Sequence, residues 1–146
     1  LLGVQLLKNH TFPASIVDVR DEISVKINYY VGEANLPFRC MVQFYTQGTI
    51  AFAAVEPTEM VRSEKGNYYS ILRVSAHLLA ETEYIIGITI NASAGKKEKL
   101  VSVNDALSFQ VVDAMQGEIS ARGDYVQNFA GVVRPRLAWE ISDVQS

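Results

Sequence analysis

Cysteine is almost missing from this chain: Cys40 stands alone among 146 residues, so no internal disulfide is possible, which suits a reducing compartment. Histidine is nearly as scarce. His10 and His77 lie far apart in sequence, neither belongs to a metal-spacing motif and neither sits beside Cys40, so no metal site is expected and each reads as a solvated loop residue. No apolar run approaches the roughly 20 residues that a membrane-spanning helix needs, so direct membrane insertion is not expected. A positive charge excess is also lacking. Thirteen Lys and Arg against sixteen Asp and Glu give a formal net charge of −3, which offers a nucleic acid no electrostatic footprint. There is no G-x-S-x-G elbow, and "SAGKKE" lacks the earlier glycine of a phosphate-binding loop, so neither a cofactor nor nucleotide hydrolysis is expected. Two carboxylates facing each other across roughly 5 to 9.5 Å would suffice for a glycosidase. Asp18, Asp21, Glu22, Asp105 and Asp113 fall mostly in turn-like stretches, however, and read as solvated acids, so no catalytic residue is assigned.

What is present is ordinary globular material: 49% apolar and 20% charged residues, in a length that suits one domain over residues 1–146. The opening "LLGVQLL" has neither an initiator methionine nor a signal peptide, and predicts a piece of a longer polypeptide. Period-two alternation dominates. In "EISVKINYYV" the residues Ile23, Val25, Ile27, Tyr29 and Val31 alternate with polar or surface-tolerant neighbours, Ser24 among them. "LPFRCMVQFY" sets Phe38, Cys40, Val42 and Phe44 against Arg39, Met41, Gln43 and Tyr45. Further strands are expected in "TIAFAAV", "NYYSILRVSA", "TEYIIGITINAS", "EKLVSVND", "ALSFQVVDA" and the opening stretch. "VEPTEMVRSE" and "SAHLLAETE" are the best helical alternatives, each long enough for a turn or two. Short strands with Gly, Asn, Asp and Pro between them predict an all-β fold, an immunoglobulin-like or jelly-roll antiparallel β-sandwich. "HLLAETEYIIGI" places a tyrosine where it can pin the corner between two sheets.

With Phe38, Cys40, Val42 and Phe44 inward, Arg39, Met41, Gln43 and Tyr45 line the opposite face of that strand. "YIIGITIN" turns Tyr84, Ile86, Ile88 and Ile90 inward and Ile85, Gly87, Thr89 and Asn91 outward. "ALSFQVV" turns Leu107, Phe109 and Val111 inward and leaves Ser108 and Gln110 outside. As neighbours in one sheet these strands would form a platform of amides, hydroxyls, an arginine and an aromatic ring. Such a surface suits a neutral sugar, because amides and Arg pair with hydroxyls and a ring covers the apolar face of a pyranose. The candidate carbohydrate-binding residues are Arg39, Gln43, Tyr45, Thr89, Asn91 and Gln110, with Arg39 as donor to hydroxyls or a charged cap and Tyr45 as the stacking ring. Any antiparallel sheet with one wet face shares the pattern. A second location is the face carrying Tyr69 and Arg73. "ARGDY" contains the adhesive tripeptide, which would suit an immunoglobulin-like protein-interaction or adhesion module. "NHT" and "NAS" fit the N-glycosylation pattern, which matters only in a secreted eukaryotic protein.

The succession "FYTQGTIAF", "HLLAETEYIIGITI", "DALSFQVVDAMQGEISARGDY" and "GVVRPRLAW" resembles the C-terminal domain of Wzt, the ATP-binding subunit of bacterial ABC transporters that export O-antigen polysaccharides. The resemblance covers nearly the whole chain and is most specific in "SFQVVDA" and in the closing G-V-V-R-P-x-L-x-W. It implies a non-catalytic β-sandwich that recognises the finished, often modified, non-reducing end of O-antigen polysaccharide in the cytoplasm, at the inner face of the inner membrane. The implied partners are an ATPase domain preceding it in the same chain, a membrane permease and a second copy in a homodimer, in some members by exchange of the last strand. Here that strand would span about 130–142. Proline cannot donate to a ladder, so Pro135 belongs on an edge or at a bulge. In an exchanged strand Val133, Pro135, Leu137 and Trp139 would form the dimer interface, with Arg134 and Arg136 on the opposite face discouraging further pairing. The alternative is an intramolecular edge strand with Trp139 in the core.

Overall fold

The computed structural model describes residues 1–94, 97–113, 131–135 and 137–142. Its strands are β1 (Gly3–Lys8), β2 (Phe12–Pro13), β3 (Ile16–Asp18), β4 (Ile23–Val31), β5 (Phe38–Thr46), β6 (Thr49–Val55), β7 (Gly66–Val74), β8 (Glu83–Ala94) and β9 (Lys97–Val112). They form two sheets, a four-stranded one in the order β2-β1-β4-β7 and a five-stranded one in the order β3-β9-β8-β5-β6. All pairings are antiparallel except β3 with β9. The expected all-β sandwich is therefore the fold, and the segments weighed as helices are turns and loops.

Alternation dictates which face each strand buries. Phe38, Cys40, Val42 and Phe44 of β5 and Tyr84, Ile86 and Ile88 of β8 meet Ile23, Val25, Ile27 and Tyr29 of β4 across the core. Phe44 stacks on Phe52 at 4.4 Å between centroids, and Tyr84 stacks on Phe109 at 5.5 Å. Pairs of this kind add about 0.5–1.5 kcal/mol beyond the area they bury. The β5–β6 hairpin turns on Gln47 and Gly48, both at positive φ (51° and 78°), which is the mirror-image two-residue turn whose twist matches the strands it joins.

Tyr84 pins the corner as expected. Its hydroxyl donates to the Val132 carbonyl at 2.6 Å and accepts from the Ala80 N–H at 3.0 Å, so one side chain holds the entry to β8 and the returning C-terminal segment together. At the open side of the sandwich Glu56 ties the two sheets. It accepts from the Cys40 N–H of β5 at 3.1 Å and from the Ser70 hydroxyl of β7 at 2.7 Å.

Several expectations are corrected. "EKLVSVND" and "ALSFQVVDA" are one strand, β9, because residues 104–106 bulge opposite Gly87 while pairing with β8 resumes on both sides. His10 is not simply solvated. Its ring bonds the Ser24 hydroxyl and the Glu22 carboxylate, and so it covers Ser24, an outward position that is consequently buried. Arg134 is not on an exposed face: it is 5% exposed, with its guanidinium 3.5 Å from both Asp113 and Glu81. Of the intramolecular edge strand, the described residues show a Val133 bridge to Leu79, flanked by the Ala80 N–H bond to the Val132 carbonyl and the Arg134 N–H bond to the Leu78 carbonyl, while Trp139 is 88% exposed rather than in the core. Pro135 lies just past this short pairing, where it has no N–H to extend it. Arg136 and the Arg-Gly-Asp tripeptide lie outside the described residues.

Changing Tyr84 to Phe leaves the ring in place but removes both corner bonds. The expected cost is about 2 kcal/mol for the two hydrogen bonds lost, the Ala80 N–H and the Val132 carbonyl keeping only their mutual bond at 3.2 Å. Thermal unfolding should then shift down by roughly 5 °C. An unchanged melting temperature would mean that the corner does not hold the C-terminal segment.

Candidate functional site

The outer face of β9, β8 and β5 is built by register. Cross-strand rows bring Arg39 beside Asn91 and Leu100, Met41 beside Thr89 and Ser102, and Tyr45 beside Ile85 and Ser108. Gln43 lies opposite Gly87, in front of the β9 bulge. The sequence-derived candidates Arg39, Gln43, Tyr45, Thr89 and Asn91 thus share one face. It is long: Arg39 and Tyr45 are about 20 Å apart at roughly 3.3 Å per residue. Gln110 is on the same face beyond Tyr45, opposite Glu83, with its amide donating to the Val111 carbonyl at 3.0 Å.

The centre of the face is ordered by a polar relay. The Gln43 amide donates to the Thr89 hydroxyl at 3.1 Å, and that hydroxyl lies 3.4 Å from the Ser102 hydroxyl. Gly87 is the structural key beside it. A Cβ there would meet the Tyr45 ring at 2.9 Å, the Gln43 side-chain oxygen at 3.1 Å and the Asn104 carbonyl at 3.4 Å. The absence of a side chain lets the Tyr45 ring lie across the strand, which is why Gly87 is buried on an otherwise wet face.

Tyr45 is also one wall of a cleft of about 470 Å³. Asn104 and Asp105, which fall in the β9 bulge, line it too, with Gln47 and Gly48 of the hairpin turn and Thr82, Glu83 and Ile85. Thr46 braces this end of the sheet, donating to the Glu83 carbonyl at 2.9 Å with its hydroxyl 3.2 Å from that of Thr82. The cleft joins an aromatic ring and an aliphatic side chain to amide, hydroxyl and carboxylate groups, and no Lys or Arg among the described residues lines it.

Asn104, Asp105, Gln47, Thr82 and Glu83 were missed by strand-by-strand reasoning. The available signal was the Asn-Asp pair, which interrupts the alternation of "VSVNDALSF". The second location fares worse as a stacking platform, because Lys26 already sits over the Tyr69 ring, 4.5 Å from its centroid.

The acids considered for catalysis are mostly engaged elsewhere. Asp18 pairs with Arg20 at 2.8 Å, Asp21 with Lys8 at 3.4 Å and Asp113 with Arg134, while Asp105 belongs to the cleft. Burial, and to a lesser degree the nearby Glu56, pushes the Cys40 thiol up to about 12, so it stays protonated at neutral pH and serves as packing. No group of three or more His, Cys, Asp or Glu among the described residues could hold a metal ion.

No protein-family model matches the chain, and no curated protein matches it. Among solved structures, the crystal structure of the C-terminal domain of Wzt superposes with a TM-score of 0.71 at 10% sequence identity, covering 95% of this chain and 81% of that one. An identity that low makes this a likeness of fold. The chain has the fold of the C-terminal domain of Wzt, a two-sheet all-β sandwich.

Proposed function

We propose that this chain is a non-catalytic carbohydrate-binding domain that takes the non-reducing end of an O-antigen polysaccharide for an ABC transporter. The observation that carries the reading is the Tyr45 ring laid across Gly87 at the wall of a cleft rimmed by Gln47, Thr82, Glu83, Asn104 and Asp105. A pyranose needs those two things together. Its C–H face packs on a ring, and its hydroxyls, which both donate and accept, pair with carboxylates and amides. The Gln43–Thr89–Ser102 relay and Arg39 with Asn91 continue the surface, giving room for further residues of a chain end. The fold shared with the Wzt C-terminal domain supports the transporter setting, in which the domain works in the cytoplasm beside an ATPase domain of its own chain and a membrane permease.

The same reading makes the domain a homodimer. Leu137, Trp139 and Ile141 are apolar at alternate positions and all strongly exposed in the single chain, the pattern of a strand with one face to bury. The Val133 bridge and the buried Arg134 mark where this segment would leave its own sandwich, and the segment beyond Pro135 would then pack on a second copy. Two sites on one dimer raise the apparent affinity of shallow sugar contacts through effective concentration. Sedimentation should show a dimer that becomes monomeric when Leu137 and Trp139 are both changed to Ser. A wild-type monomer at micromolar concentration would remove this part of the proposal.

Tyr45→Ala should weaken binding of the purified polysaccharide about tenfold, the equivalent of about 1.4 kcal/mol. Gly87→Ala should do the same without touching the ring's chemistry, because its Cβ displaces that ring. Calorimetry or NMR titration with circular dichroism as a folding control reads both. Unchanged affinity in two folded variants would show that the sugar binds elsewhere.

A further inference from the structure

Resting on the cleft as the sugar site, the geometry points to a charge rule for its ligand. The terminal unit it takes is an uncharged sugar with an apolar C–H or methyl surface, and units carrying phosphate, sulfate or carboxylate are disfavoured. Tyr45 and the exposed Ile85 supply the apolar wall. Glu83 and Asp105 supply two carboxylates, which accept hydrogen bonds and donate none when ionised. A hydroxyl can donate to them, whereas an anionic oxygen can only be repelled.

Among the described residues no Lys or Arg lines the cleft. Arg134 lines an adjoining depression of about 310 Å³ that shares Gln47 and Thr82 with the cleft. It is buried and held by Glu81 and Asp113. Arg39 is about 20 Å away along β5. Lys99 is taken up by Glu33 at 3.1 Å. Like charges placed together across a binding surface exclude wrong partners, and a half-open cleft makes that exclusion sensitive to salt.

The test is a pair of NMR titrations of the intact chain. The neutral probes are the methyl glycosides of glucose, galactose and mannose, and the anionic probes are the 6-phosphates of the same three glycosides. The expected result is that at least one neutral probe moves the amide resonances of Tyr45, Ile85, Asn104 and Asp105. Its phosphorylated counterpart should bind on the order of tenfold more weakly at low salt, as two nearby like charges imply. The gap should narrow in 0.5 M salt and close in the E83Q/D105N double variant. Binding of a phosphate at the cleft as tight as, or tighter than, that of its neutral counterpart would overturn the charge rule and leave the cleft as a sugar site. Failure of every probe to move those resonances would overturn both.

Discussion

The site depends on β8 being fixed in register at the centre of the five-stranded sheet. Tyr84, Ile86 and Ile88 are completely buried on its inner face, and a slip of one residue would turn all three to solvent. That burial fixes what the other face presents. Ile85, Gly87, Thr89 and Asn91 have no freedom to be elsewhere, and the pairing with β5 then brings Tyr45 and Gln43 to Gly87. A hydrophobic requirement on one side of a strand thus sets the geometry of a polar surface on the other. The Tyr84 hydroxyl extends the same control to the C-terminal segment through Val132.

The core face and the main outer-face residues were legible because a half-buried strand writes itself as alternation, and β4, β5 and β8 alternate cleanly. The cleft was not legible, because a bulge is where alternation stops: Asn104 and Asp105 look like the end of one strand and the start of another. Pairing with β8 resumes beyond them and keeps the strand whole, and that pairing is a long-range fact. Arg134 was misplaced for a related reason. Its neighbours in sequence suggest an edge strand with outward charges, while the carboxylates that receive it come from Glu81 and Asp113, distant in the chain.

His10 and Gly87 make a complementary pair of lessons. A histidine alone in a turn carries no sequence mark of a partner, yet its positive-φ turn folds it over Ser24 and Glu22. A glycine inside a strand pattern does carry a mark, since it usually signals a bulge or a close approach. Here both are present, the bulge on β9 and the approaching ring of Tyr45 on β5. The two conditions meet at the cleft lined by Tyr45, Asn104 and Asp105, the feature on which the proposal of a sugar site rests.

The central claim is that the Tyr45 cleft reads the end of a polysaccharide. It is tested most directly by titrating the chain with purified O-polysaccharide from its own source strain, beside the same polymer stripped of its non-reducing terminal modification, and following amide shifts. The account predicts binding to the finished polymer alone, with shifts centred on Tyr45, Gly87 and Asn104. Equal binding of both polymers, or shifts confined to the outer face of β7, would contradict it.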